Sequence, residues 1–292
     1  MYRGVAVEAL GLHGDAVSSV RTPDANYSLT SNHMDNEFPE LVRPPIIEVV
    51  CAILFQPTAL DGMDLGVYWE KRRTDYPSKS LQPALLDGGD FILGNPAMRA
   101  VLASQNSVRM LQLQHDRFLM NWRALGEDYP RFSTRSDRGP GLLDLALEEF
   151  RQFSEFVAER IGTPVKPLKV ELVKVDDIVQ GKHWSDRHDL TKLIPLTGTF
   201  DEVHQTGNRE FRLQFIEHDE QGRLVIALQS ILDKPGGDVR AARLETRAIR
   251  DVSLGTDARE CFLGANGSAN RVFFTLVSKD ELHRFGNSGG TQ

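Results

Sequence analysis

The chain has 292 residues, of which 40% are hydrophobic and 26% are charged, and this composition excludes a disordered, collagen-like or membrane-embedded chain. No stretch of about 18 apolar residues is present and only two cysteines occur, so we expect a cytoplasmic protein without a disulfide framework and without a membrane partner. The 41 acidic residues outnumber the 34 basic ones, and the net charge of -7 makes nucleic acid an unfavourable partner because its phosphates would be repelled.

The two ends of the chain differ from its middle. Residues 1–42 lack sustained hydrophobic periodicity and are rich in Gly, Ser, Asp and Asn, which predicts a disordered leader that buries too little apolar area to order itself. Residues 287–292 predict a disordered tail for the same reason. The polar segment around Gly181 then divides the folded part into two predicted lobes, residues 43–180 and residues 181–286.

The first lobe begins with Arg43-Pro44-Pro45, which holds the chain extended at the entry to a strand rich in β-branched residues. A hairpin follows from period-two alternation on both sides of a short turn, and the clearest helix of the chain ends at Gly162. In chain order the predicted elements are a strand at 46–55, a helix at 65–72, strands at 108–114 and 118–123, a helix at 142–161 and a strand at 168–175. This β-α-β-β-α-β order predicts an α+β fold with a ferredoxin-like first lobe.

The second lobe is predicted to be an antiparallel sheet with helices. Residues 211–216 and 224–232 alternate around a turn and predict a second hairpin, while residues 240–250 and 271–277 are predicted to be helices. Four arginines of the first of these helices recur at spacings of three and four and would form one basic stripe, which a solvated helix face explains more simply than a phosphate-binding surface. They are Arg240, Arg243, Arg247 and Arg250. No internal sequence repeat is evident, although the second half loosely echoes the first in element order.

The predicted hairpin in the first lobe is the main candidate site, because it combines charged, amide and aromatic side chains within a few residues. Such a mixture can line a ligand pocket, and it also fits a core aromatic residue flanked by a structural ion pair. Glu48 adds a carboxylate within an apolar strand, where it must face solvent, a pocket or a partner charge. The candidate ligand-binding or partner-binding residues are therefore Glu48, Asp116, Arg117, Asn121, Trp122 and Arg123.

No catalytic motif accompanies these residues. The sequence has neither a Gly-x-Ser-x-Gly nucleophile elbow nor a Walker or dinucleotide-binding loop, and His183 and His188 lack the further ligands of a zinc site, so we expect no metal and no cofactor. The favoured function is non-enzymatic recognition of a partner protein or a small ligand. The alternative is an enzyme of unrecognised type that acts on nucleic acid or nucleotides through scattered residues. Its candidates are Glu48, Asp116, Arg117 and Arg123.

Several segments also form a pattern along the first lobe. They are Pro44-Pro45-Ile46-Ile47-Glu48-Val49, then Leu65-Gly66-Val67-Tyr68-Trp69 with Tyr76-Pro77, then Asp116-Arg117-Phe118 with Asn121-Trp122-Arg123 and Tyr129-Pro130. With them the chain resembles an uncharacterised, sporadically distributed bacterial family over residues 43–286. The resemblance implies no established activity. The patchy distribution of that family implies mobile genes such as antiphage defence or toxin-antitoxin loci, with a protein partner encoded nearby and homo-oligomerisation as an open option.

Overall fold

A computed structural model describes residues 38–85, 98–125, 130–133, 140–198, 211–219, 222–234, 237–252 and 256–286. Over these residues the chain forms strands and helices in a regular order. The strands are β1 Ile46–Phe55, β2 Ser78–Pro83, β3 Met98–Ala103, β4 Arg109–Gln114, β5 Arg117–Arg123, β6 Pro167–Val179, β7 Arg212–Asp219, β8 Gly222–Leu232 and β9 Val239–Asp251. The helices are α1 Gly62–Arg72, α2 Leu142–Ile161, α3 Arg187–Leu193 and α4 Ala258–Leu276, followed by a 3-10 helix at Lys279–Phe285.

All of these strands belong to one nine-stranded sheet in the order β2-β3-β4-β5-β1-β6-β9-β8-β7. Each neighbouring pair is antiparallel. The two long strands β1 and β6 lie side by side near the middle, with Val50 opposite Val173. The predicted α+β class is therefore confirmed at the level of a large antiparallel sheet combined with helices.

The two faces of this sheet have different surroundings. Successive side chains of a strand point to opposite faces, and in β1 the residues Val49, Cys51 and Ile53 lie in a core cluster that also contains side chains of α1 and α2. A second cluster joins β6, β8 and β9 to α3 and α4 on the same face. Among the described residues, no helix packs on the other face, which we call the open face.

The two halves of the sheet repeat one topology. The first half runs β1, α1, β2 to β5 and α2, and the second half runs β6, α3, β7 to β9 and α4. The strand order of each half leads outward from the central pair, with β5 beside β1 and β9 beside β6. The loose echo in element order therefore extends to the strand order, although the first half has five described strands and the second half has four.

The ferredoxin-like first lobe is not confirmed. Two strands, β2 and β3, lie between α1 and the predicted hairpin, and they extend the first half to five strands. The sequence pattern missed β2 because every residue of Ser78–Pro83 is exposed, so the strand shows no alternation of apolar and polar residues. Its pairing with β3 holds it in the sheet instead.

The predicted boundary near Gly181 lies just after β6, within a chain whose described residues belong to one compact unit. Both predicted lobes contribute strands to the same sheet through the β1–β6 and β6–β9 pairs. Most of the predicted leader and all of the predicted tail lie outside the described residues. Within the leader, residues 38–42 are described, and there Leu41 packs against the second core cluster.

The predicted helix at 240–250 is wrong, because these residues lie in β9. The side chains of Ala242, Leu244 and Ala248 are buried at period two, as expected for a strand between β6 and β8. The wrong prediction arose because the four arginines recur at spacings of three and four, which is also the spacing of residues on one face of a helix. In the strand, Arg243 and Arg247 face the open side, whereas Arg250 faces the helices and donates to Ser268 of α4. The predicted single basic stripe is therefore absent from β9.

The helices of the first half are tied together by a buried ion pair. Glu149 of α2 accepts hydrogen bonds from the Arg72 guanidinium at 2.7 and 3.0 Å and from the Tyr76 hydroxyl at 2.8 Å. All three residues are buried beside the first core cluster. Arg72, the last residue of the predicted helix at 65–72, is thus a core residue. None of the described helices is long and apolar enough to cross a membrane.

Candidate ligand-binding site

The open face of the first half collects most of the predicted site residues. Arg117, Asn121 and Arg123 are spaced by even numbers along β5, so their side chains share one face of the sheet. Glu48 on β1 lies directly opposite Arg123, which brings a carboxylate to the same face. The sequence placed Glu48 at a rim, in a pocket or beside a charge, and it lies beside the charge of Arg123.

A chain of hydrogen bonds connects three strands at this point. Gln112 of β4 donates from Nε2 to Oδ1 of Asn121 at 2.7 Å, and Asn121 donates from Nδ2 to Oε1 of Glu48 at 2.8 Å. The same carboxylate oxygen accepts from Nε of Arg123 at 3.3 Å. Asn121 is buried by its neighbours, so this polar row is fixed in place and its members orient one another.

Asp116 and Arg117 form a separate pair in the tight turn between β4 and β5. The guanidinium of Arg117 donates to the Asp116 carboxylate at 3.2 and 3.0 Å, and Gln114 donates to the same carboxylate at 2.8 Å. Arg117 and Arg123 are at opposite ends of β5, six residues apart, which corresponds to roughly 20 Å along a strand. The structure therefore places the predicted charged residues in two groups.

Trp122 does not reach the open face. It lies between Asn121 and Arg123 in β5, so its indole points to the helices, where it is buried in the first core cluster opposite Val49. The aromatic side chain of the predicted hairpin is thus a core residue, and the polar side chains of Asn121 and Arg123 on either side of it point to the open face.

A cavity of about 470 Å³ crosses the open face of β2 to β5. Its lining includes Arg123, which the sequence singled out, and Gln112, which lies within the predicted hairpin segment. Met110 also lies within that segment, and the other lining residues belong to β2 and β3, which were not predicted as strands. The lining residues are Ser78, Lys79, Ser80, Gln82, Arg99, Val101, Ala103, Met110, Gln112 and Arg123.

Arg99 of β3 is one of the cationic residues that line this cavity. Its Nη2 donates to Oε1 of Gln82 at 2.6 Å, whereas its Nε is buried and has no hydrogen-bond partner. Burial, together with the positive charge of nearby Arg117, lowers the pKa of Arg99. An arginine begins from so high a pKa that it remains positively charged at neutral pH. The cavity therefore contains a fixed cation with an unused donor.

The open face of the second half is more neutral. Arg243 of β9 forms a bidentate pair with Asp177 of β6 at 2.7 and 2.8 Å, and Arg247 donates to Glu171 at 2.8 Å. Two of the four arginines in the predicted basic stripe are therefore held by acidic partners on the adjacent strand. This part of the sheet presents paired charges to solvent.

The helix-facing side of β6 also holds charged groups. Lys174 donates to Oδ1 of Asn270 in α4 at 2.7 Å. Burial lowers the pKa of Lys174 and raises the pKa of Asp176, while the attraction between the two opposes both shifts. Both side chains lie beneath α4, on the opposite side of the sheet from the cavity. They separate the two core clusters along β6 and take no part in the open face.

The described residues contain no group of three or more His, Cys, Asp or Glu side chains that could hold a metal ion. Of the two histidines considered for zinc, His183 is buried and accepts a hydrogen bond at Nδ1 from the Val179 amide at 2.9 Å. His188 is exposed on α3. The described arrangement can bind a ligand through hydroxyl, amide and guanidinium groups.

Comparison of the chain with protein-family models found no match, and comparison with curated proteins found none either. The resemblance in the first lobe therefore stays a prediction. The fold and the open face define a class of protein in broader terms, namely an antiparallel sheet covered by helices on one side, with a polar cavity on the other.

Proposed function

We propose that this chain is a non-enzymatic recognition protein that binds a small ligand or a segment of a partner protein in the cavity on its open face. The observation that carries this proposal is the lining of that cavity. Serine hydroxyls from β2, amides from β2 and β4 and guanidiniums from β3 and β5 converge on one concave surface of about 470 Å³. Ligand sites in proteins have similar volumes and use a few convergent polar groups to orient what they bind.

The same geometry supports recognition over the enzymatic alternative. The four residues considered for catalysis form two ion pairs at opposite ends of β5, so they do not surround one reacting bond. Both carboxylates are also engaged, since Glu48 accepts from Asn121 and Arg123, and Asp116 accepts from Arg117 and Gln114. A carboxylate that acts as a general base must lie within hydrogen-bond reach of the substrate proton, and neither of these carboxylates lines the cavity.

The biological setting rests on the resemblance alone. From it we propose a role in antiphage defence or in toxin-antitoxin control, with a partner encoded nearby. We also propose a cytoplasmic location, which the composition and the two cysteines favour. The biological role and the binding of a ligand in the cavity are separate claims, and each can be tested without the other.

The test of the cavity is to block it. Ala103 lines the cavity from β3, and an Ala103→Trp substitution would place an indole in that space. The matched control is Val67→Trp, because Val67 is 41% exposed on α1, which packs on the helix-covered face. Each tagged full-length chain is incubated with an extract of the native host, and the molecules it retains are identified by mass spectrometry.

We expect the wild-type chain and Val67→Trp to retain the same ligand and Ala103→Trp to lose it, with all three chains melting at similar temperatures. If the wild-type chain retains nothing, or if Ala103→Trp retains the same ligand as the control, the open-face cavity is not the binding site. A partner protein and a small molecule are distinguished directly by the mass of what is retained.

A further inference from the structure

The charge of the cavity differs from the charge of the chain. The chain has a net charge of -7, yet no aspartate or glutamate is among the described residues that line the cavity, whereas two arginines and one lysine are. The lysine, Lys79, has its ammonium 3.4 Å from the centre of the Trp69 ring. Lys79 pairs with Leu102 and so faces the helices. This leaves Arg99 and Arg123 as the open-face cations of the lining, and Arg123 also pairs with Glu48.

We infer that the ligand of this cavity carries an oxyanion group, either a phosphate or a carboxylate, which accepts hydrogen bonds from Arg99. This inference rests on the proposed function, because it gives the chemistry of whatever the open face binds. An arginine presents its N–H groups as a planar fork that matches two oxygens of one anion. Arg99 uses one Nη for Gln82 and keeps a buried Nε without a partner, and a buried donor is normally paired.

A second arginine, Arg117, lies in the same row of the sheet as Arg99, with its charge partly offset by its ion pair with Asp116. Ala100 of β3 pairs with Leu113 of β4, so the next pair in this antiparallel register is Arg99 with Gln114. Gln114 in turn pairs with Arg117 of β5. The three residues therefore form one row across the three strands. With strands about 4.8 Å apart, the backbones of Arg99 and Arg117 are about 10 Å apart. Their like charges contribute to the lowered pKa of Arg99. An anion bound beside Arg99 would offset this repulsion.

The remaining lining indicates a small organic anion. Ser78, Ser80 and Gln112 offer neutral donors and acceptors, while Val101 and Ala103 give an apolar floor. Single-stranded nucleic acid is normally bound by stacking its bases on aromatic side chains. The described open-face positions of the sheet contain no Phe, Tyr or Trp. An anionic group anchored at Arg99, with a neutral part over Val101 and Ala103, is the occupant that these residues fit.

The test measures binding of two simple anions to the full-length chain by isothermal titration calorimetry. Inorganic pyrophosphate represents phosphate ligands and citrate represents carboxylate ligands. The variant is Arg99→Gln, which keeps a polar side chain of similar length without the charge. The control is Arg73→Gln, which removes the same charge from an exposed residue directly after α1 that pairs with Glu70. Melting temperatures establish that both variants fold.

We expect at least one anion to bind the wild-type chain and the Arg73→Gln control equally, and to bind Arg99→Gln roughly 10-fold more weakly or worse, as for the loss of a charge-assisted fork. The anion that binds identifies phosphate or carboxylate as the group. The inference is overturned if neither anion binds at millimolar concentration, or if Arg99→Gln binds as well as the control. If Ala103→Trp still removes the host ligand in that case, the cavity binds a neutral ligand and the proposed function stands.

Discussion

The two halves of the sheet share a topology and differ in what their outer strands present. On the open face of the first half, an additional edge strand and a row of amides surround a cavity that contains Arg99. On the second half, Arg243 and Arg247 of β9 pair with acidic residues of β6 across the strand boundary. The comparison teaches that a repeated backbone sets only the scaffold, while the outward-facing residues of each strand decide which half can bind a ligand.

The largest expected difference between the halves concerns the ion pairs that hold their helices. Replacing Glu149 with alanine leaves the buried Arg72 guanidinium with the exposed carboxylate of Asp75, at 3.3 Å, as its one ion-pair partner among the described residues. We expect a loss of about 3–5 kcal/mol in the free energy of unfolding. In the second half, Asp189 pairs with Arg284 at 2.6 Å, but both side chains are about one-fifth exposed. Because water can solvate the remaining charge, Asp189→Ala should cost clearly less. Urea denaturation of both variants measures this difference.

Glu148→Ala is the matched control for the first of these substitutions. Glu148 precedes Glu149 on α2 and pairs with Arg151, and both side chains are about half exposed. Its removal should leave the urea midpoint close to that of the wild type. A Glu149→Ala variant that is as stable as Glu148→Ala would show that the buried pair does not tie α1 to α2.

The second expected difference is in pH dependence, because the buried histidine of the described core lies in the second half. Burial lowers the pKa of His183 from 6.5 to about 4. Between these pH values the unfolded chain binds a proton that the folded chain does not, so stability is lost as the pH falls. The wild type should therefore lose roughly 2 kcal/mol more unfolding free energy than His183→Gln between pH 7 and pH 4. This figure is smaller than the full pKa shift would give, because solvent screens part of the effect.

Urea denaturation of the wild type and His183→Gln at several pH values between 4 and 7 checks this expectation. The control is His188→Gln, because His188 is exposed on the neighbouring helix α3. The control should follow the wild-type profile. A His183→Gln profile parallel to that of the wild type would mean that the acid sensitivity of the fold arises elsewhere.

Much of the fold could be predicted wherever burial shows in the sequence. The strand at 46–55 and the helix at 142–161 lie within the same bounds in the structure, because one is apolar along its length and the other has a continuous apolar face. Strand β2 could not be predicted, since its exposed residues show no pattern. Strand β9 was misjudged because the arginine spacing outweighed the period-two burial of Ala242 and Leu244.

The candidate site was predictable only in part for a related reason. Glu48 and Asn121 stand out as polar residues within apolar strands, and the structure brings them within 2.8 Å of each other. Ser78 and Arg99 have no such local signal. They reach the cavity because β2 and β3 pair in a register that only the folded sheet defines. Trp122 is the opposite case, because it was predicted to belong to the site and is a core residue. The alternation of side chains along β5 points it toward the helices, while Asn121 and Arg123 point to the open face.

The smallest expected difference concerns the open-face ion pairs themselves. Arg243 and Asp177 form two short hydrogen bonds and Asp177 is 13% exposed, whereas Arg123 meets Glu48 through one contact of 3.3 Å and is 45% exposed. Double-mutant cycles with alanine should give a coupling energy of about 1 kcal/mol for the first pair and about 0.3 kcal/mol for the second. A weak coupling leaves the Arg123 guanidinium free to turn toward a ligand. Equal coupling energies would mean that Arg123 is held as firmly as Arg243, and Arg99 would then remain as the anchor for an anion.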